Sequence, residues 1–228
     1  MPKLTTPDQV NLNYTDIGSG RPIVMIHGWP LSGAAFADNA KVLAAAGYRV
    51  ITYDRRGFGQ SGKPRDGYDY DTLAADLDAL LTGLDLHDVV LLGFSMGGGE
   101  VARYLATRGS ERVGAAILSG SICPALCITK DNPDGAMPRE GFQELADACA
   151  ADHAGFVDQF CGWFYSNDQG LTVPEEVRQQ AVEIARQSAP HAAVATILSW
   201  TEDLREDCRR IDVPLLVIHG DGDQNVPL

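Results

Sequence analysis

The sequence predicts an α/β fold, a mostly parallel sheet flanked by helices and carrying a helical cap insertion. Three observations carry that expectation. Between residues 21 and 120 the runs PIVMIHG, YRVITYD, VVLLGFS and VGAAILSG alternate with helical patterns, and repeated strand–helix–strand units imply parallel strands covered on both faces. Each run ends in Gly, Asp or Ser, residues that turn a strand into a loop. From 121 to 210 strand-like runs vanish, and PLLVIHG at 214–220 then resumes the sheet.

The elements follow in order. PIVMI leads into the loop His27-Gly28-Trp29-Pro30, and YRVITYD leads into Asp54-Arg55-Arg56-Gly57-Phe58-Gly59-Gln60-Ser61. Leu73, Leu77, Leu80, Leu81 and Leu84 fall at helical spacing, a stripe that packs one helix face on a sheet. VVLLGF runs into Gly93-Phe94-Ser95-Met96-Gly97, and GEVARYLATR after it reads as a helix. Beyond VGAAILSG come GFQELADACAADHAGFVDQF, PEEVRQQAVEIARQ and HAAVATILSWTEDL, helical patterns punctuated by Pro124, Pro133, Pro138, Pro174 and Pro190. The expected organisation is a first part of the core over 1–120, a helical cap over 121–210, and a return to the core over 211–228. Leu215–Ile218 reads as a buried strand.

Composition narrows the function classes. Thirty-one acidic against eighteen basic residues give a net charge of −13, which repels phosphate backbones and anionic lipid surfaces. Neither nucleic acid nor membrane is an expected partner. The start, MPKLTTPDQV, has no apolar h-region, and no apolar run reaches the length of a membrane-spanning helix. The five cysteines, at 123, 127, 149, 161 and 208, form no CxxC pair. That pattern suits reduced thiols in a cytoplasm and gives no metal site.

Two glycine-rich stretches bear on chemistry. Gly57-Phe58-Gly59-Gln60-Ser61-Gly62 matches a dinucleotide fingerprint in letters, but Pro64 and Gly67 oppose the helix whose N-terminus such a fingerprint needs. It reads as a turn. Gly93-Phe94-Ser95-Met96-Gly97 has the strand before it and the helix after it that a nucleophile elbow demands. Ser95 then sits on a tight turn, and Met96 offers its backbone N–H to a developing oxyanion at a helix N-terminus. A second donor is available from Trp29, whereas Pro30 has no N–H. His27 reads as a structural histidine beside that loop. Trp163, Phe164, Tyr165 and Trp200 are aromatic enough to line an acyl site, with core packing the leading use of each.

Taken together, HGWP, DRRGFGQS and GFSMGG, followed by GGGEVARY, DNPDG and HGDGDQNVP, resemble the α/β-hydrolase superfamily. The set is most similar to its cofactor-free branch of non-heme haloperoxidases, perhydrolases and aryl esterases. The resemblance spans almost the whole chain. It implies a Ser–His–Asp hydrolase with Ser95 as nucleophile, Trp29 and Met96 as oxyanion-hole donors, and Asp223 as the acid, with Asp221 as its rival in the same turn. It also implies small acyl or aryl esters as substrates, a carboxylic acid plus hydrogen peroxide as an alternative pair, no cofactor and no metal. A homo-oligomer is compatible with it. Triad partners of this fold follow in the order Ser, acid, His, yet the histidines at 27, 87, 153, 191 and 219 all precede Asp223. The expectation is a truncated form lacking the last strand, the histidine loop and a closing helix; the alternative is that His153 or His191, from the cap, substitutes as the base. A hydrolase-fold binding protein without chemistry and a lyase or C–C hydrolase on the same site stand as the alternatives.

Overall fold

The computed structural model describes residues 2–227. The chain opens with β1 (Lys3–Thr5), β2 (Asn11–Gly18) and β3 (Arg21–Ile26), then a 3₁₀ turn (Gly33–Phe36) running into α1 (Ala37–Ala45). It continues through β4 (Tyr48–Tyr53), α2 (Tyr70–Gly83), β5 (Val89–Phe94), α3 (Met96–Arg108) and β6 (Val113–Ser119). Beyond β6 come β7 (Cys127–Ile128), β8 (Met137–Pro138), α4 (Arg139–Ala151), α5 (His153–Phe164), β9 (Ser166–Asn167) and β10 (Gly170–Leu171). The order ends with α6 (Glu175–Ala185), α7 (Pro190–Ser199), α8 (Arg205–Arg209) and β11 (Leu215–Ile218).

The main sheet runs β1-β2-β4-β3-β5-β6-β11. β1 and β2 pair antiparallel at one edge and β2 is antiparallel to β4, while β4, β3, β5, β6 and β11 are parallel. The antiparallel edge has no counterpart in the sequence expectation, because its polar first strands lack an apolar run. Side chains of the central strands alternate between two layers. Val24, Ile26, Ile51 and Leu91 pack with the leucine stripe of α2 and with Val101 and Leu105 of α3. Ile23, Met25, Val50 and Val90 face the other way, toward Ala40 of α1. Asp69 caps α2, its side chain accepting from the Thr72 N–H at 2.8 Å.

Register decides where function gathers. Ile26 pairs with Gly93, Gly93 with Leu118, and Val217 with Leu118, so four parallel strands end in one row. The loops that begin at His27, Ser95, Gly120 and His219 therefore leave the same end of the sheet, where sites of such sheets lie. Over this end sits a third apolar cluster joining Trp29, Phe58, Tyr70 and Met96 to Phe142, Val157, Val182, Ile197 and Leu204 from the segment between β6 and β11.

Two expectations change. The segment between β6 and β11 is mainly helical, but it also holds two short ladders, β7 with β8 and β9 with β10. Two-residue pairings leave no periodic signature to read. Leu215–Ile218 does form a strand, but it is exposed and not buried: Leu215 is 43% exposed and Val217 57%. Among the described residues β11 is an edge strand flanked by β6 alone.

Candidate active site

Ser95 stands between β5 and α3 with φ 53° and ψ −120°, a backbone conformation that a residue with a Cβ rarely adopts. Its N–H donates to the Ser119 carbonyl at 2.9 Å, and its own carbonyl accepts from Gly98 N–H at 3.0 Å. Although Ser95 occupies the N-cap of α3, its hydroxyl caps nothing. The glycines around it answer to contacts. A Cβ on Gly97 would lie 2.4 Å from the Ile26 carbonyl oxygen, and one on Gly93 would lie 2.5 Å from that of Gly97. Helix α3 thus starts against the ends of β3 and β5, which forces the turn and lifts the serine.

Met96 opens α3, so its N–H has no partner within the helix. The loop 27–30 passes directly beside it: a Cβ on Gly28 would lie 3.0 Å from Ser95 Cβ. Trp29 is buried, and its indole N–H donates to the Ala193 carbonyl at 3.1 Å, tying the loop to α7. Neither the Trp29 nor the Met96 backbone N–H donates to another described backbone carbonyl.

Behind this loop lies a buried polar group that sequence reasoning missed. Arg55 and Glu100 are fully buried and paired at 2.9 Å. Arg55 also donates to the His27 carbonyl at 2.9 Å, and its backbone N–H donates to His27 Nε2 at 3.0 Å. The Tyr53 hydroxyl donates to the other Glu100 oxygen. With Nε2 accepting, His27 Nδ1 carries the proton and donates to the Gly28 carbonyl at 2.9 Å. Burial holds the His27 imidazole well below its ordinary range, and the Arg55 charge adds to this. Burial pushes the Glu100 carboxyl up, with Arg55 opposing. His27 is structural, as expected. The network fastens the loop bearing Trp29 to the helix bearing Met96. Arg55 and Glu100 stood in plain view in DRRGFGQS and GGGEVARY, but nothing in a sequence says that two charges 45 positions apart meet.

The stretch 54–61 is a closed turn. Asp54 accepts from the N–H groups of Gly33 at 2.9 Å and Gln60 at 2.8 Å. No helix follows until Tyr70, so the dinucleotide look-alike lacks the N-terminus it would need.

Asp223 follows β11. One carboxylate oxygen accepts from the N–H groups of Asn225 and Val226, each at 2.9 Å. The other lies 3.8 Å from His219 Nε2. Asp221, in the same turn, is exposed. Ser95 and Asp223 line one cavity of about 80 Å³, lined also by Phe142, Phe160, Trp163 and Trp200. Trp163, Phe164 and Trp200 line the cavity, with Trp200 also buried in the apolar cluster as core packing required, while Tyr165 packs against that cluster and lines an adjoining recess.

No described histidine lines the cavity. His153 bonds the Ser188 hydroxyl at 2.9 Å and His191 the Pro64 carbonyl at 2.7 Å, so neither takes the base role that was open to it. His219 bonds the Val226 carbonyl at 2.8 Å. Among the described residues no cluster of three His, Cys, Asp or Glu side chains could hold a metal ion. Among those residues no helix is long and apolar enough to cross a membrane either.

The parallel sheet, the serine elbow and the aspartate turn define a class, and comparison with known proteins agrees. Residues 21–228 match the family model described as the alpha/beta hydrolase fold. The non-heme chloroperoxidase CPO-A1 of Kitasatospora aureofaciens is 43% identical over 100% of this chain and 83% of its own length. The bifunctional esterase/perhydrolase DCH of Acinetobacter calcoaceticus is 34% identical over 98% of this chain and 83% of its own. The crystal structure of a bromoperoxidase from Bacillus anthracis superposes with a TM-score of 0.95 at 40% identity, covering 99% of this chain and 83% of that one. The chain belongs to the α/β-hydrolase family and is an enzyme of that type, with non-heme haloperoxidases and esterases as its relatives.

Proposed function

We propose that the protein is a serine hydrolase of small acyl or aryl esters, working through an acyl-enzyme on Ser95. One observation carries the reading: Ser95, held at φ 53°, shares an apolar cavity with the anchored carboxylate of Asp223. Ser95 Oγ attacks the ester carbonyl carbon and gives its proton to an imidazole base. The oxyanion is held by the Trp29 and Met96 backbone N–H groups, preorganised donors of the kind that lower such barriers most. Collapse expels the alcohol, which takes the proton, and water then releases the acid by the reverse path. Asp223 orients the imidazole and stabilises its charged form. The reading needs that imidazole after Asp223 in chain order.

Hydrogen peroxide in place of water would release a peracid, which oxidises halide to hypohalous acid while reverting to the carboxylic acid. The esterase/perhydrolase relative supports this extension. Residues 121–210 act as the cap that shapes the acyl site. Five free cysteines favour a reducing, cytoplasmic setting. A homo-oligomer is compatible with the reading.

The test is hydrolysis of p-nitrophenyl acetate at neutral pH by the protein and its Ser95→Ala variant. A Ser95-dependent rate is the expected result. Rates at background in both would favour the second reading, a hydrolase-fold binding protein, whose support is that no described histidine lines the cavity. Pro30 gives a finer check, since a fixed backbone without an N–H favours one placement of the Trp29 carbonyl. Pro30→Leu should lower perhydrolysis relative to hydrolysis; an unchanged ratio counts against the peroxide reaction.

A further inference from the structure

Among the described residues two buried side-chain atoms have no hydrogen-bond partner, Trp200 Nε1 and Asn225 Oδ1, and both residues line the Ser95 cavity. Buried polar groups are almost always paired, so an orphan in a ligand cavity marks a place where a ligand supplies the partner. Trp200 is 9% exposed. Its ring is wedged edge-on against Trp29, at 5.3 Å between centroids, and Phe142, at 6.5 Å, one ring away from the candidate oxyanion loop. Asn225 is held from the other side, its backbone N–H bonded to Asp223.

We propose that this cavity selects esters of hydroxylated acyl groups. The proposal rests on the reading of the Ser95 cavity as an ester site and names its substrate class. An indole N–H only donates, and an amide oxygen only accepts. A carbonyl would satisfy Trp200 alone, an ammonium Asn225 alone, and a carboxylate would meet the charge of Asp223. A hydroxyl, which both donates and accepts, pairs with either atom. The aromatic walls leave the remaining acyl carbons to be bound by apolar contact.

The test compares ethyl 3-hydroxybutanoate with ethyl butanoate. Affinity is measured by calorimetry on Ser95→Ala, which holds the cavity without turnover, and kcat/KM on the unaltered protein. The hydroxy ester should bind Ser95→Ala about fivefold or more tighter, the scale of a hydrogen bond to an otherwise unpaired buried group. Adding Trp200→Phe or Asn225→Leu should bring the ratio toward about one, and the conservative Asn225→Gln should restore part of it. Equal affinity for the two esters, no binding of either, or a preference that survives both substitutions would overturn the proposal. Preference in binding without turnover of either ester would fail the hydrolase reading and keep the subsite. Equal turnover of both without preference in binding would do the reverse.

Discussion

At the scale of single residues, Ser95 is where the proposed chemistry and a rarely adopted backbone conformation share one position. Glycine tolerates φ 53° where alanine does not. Ser95→Gly should therefore be more stable than Ser95→Ala by about 1 kcal/mol, read from urea midpoints; equal midpoints would mean the elbow holds no strain. Both should lose ester hydrolysis down to the roughly 10³–10⁴-fold advantage over water that an oxyanion hole and binding alone retain. Asp223→Asn should lower kcat with little change in KM, since the acid is assigned no contact with substrate. His27 supplies a pH dependence with a definite sign. Its folded imidazole is depressed, so between that value and the ordinary one near 6.5 the unfolded chain binds the extra proton. The resulting stability is present above about pH 6.5 and is lost as pH falls below it. Thermal midpoints measured through the acid range should drop less steeply in His27→Gln than in the parent; parallel curves would remove His27 as the cause. The GFSMG spacing made Ser95 and Met96 legible, because the motif is local. The orphan indole of Trp200 was not, because a partner is absent only in three dimensions.

At the scale of elements, two joints set the candidate site. The first is the close approach of α3 to β3 and β5. Gly97→Ala puts a Cβ 2.4 Å from a backbone oxygen that cannot swing away, and about 2 kcal/mol of destabilisation is expected from such overpacking. The second is the Arg55–Glu100 pair between the β4 turn and α3. Glu100→Gln leaves a buried guanidinium without its counter-charge and should cost about 3 kcal/mol. It should also lower kcat more than it raises KM, because the loop carrying Trp29 loses its anchor; a stability loss with unchanged kinetics would make the pair purely structural. The mainly helical character of the segment between β6 and β11 was legible from its sequence pattern, and so were the main strands. The short β7–β8 and β9–β10 ladders were not, since pairing over two residues depends on which segments the surrounding helices bring together.

At the scale of the whole molecule, the features that stand out are the common end of the parallel strands and the exposed face of β11. Leu216, Val217 and Ile218 are each more than half exposed on a strand flanked by β6 alone among the described residues. An apolar edge of this kind templates pairing with another chain. Where that edge is left unpaired, the protein should associate with rising concentration, and Val217→Lys should reduce light scattering without lowering the urea midpoint. Undiminished scattering would place the sticky surface elsewhere.

The sequence by itself determined the α/β class, the order of the main parallel strands and the helices between them, the serine elbow and the aspartate turn. Each is a short-range pattern: apolar period, turn chemistry, or glycines at fixed spacing. Only the tertiary structure decided that Ser95 and Asp223 line one cavity, that Arg55 and Glu100 fasten the loop of Trp29, and that no described histidine reaches that cavity. Those facts depend on strand register and on which helix faces meet. Both are fixed by the summed burial of the whole core rather than by any one segment of chain.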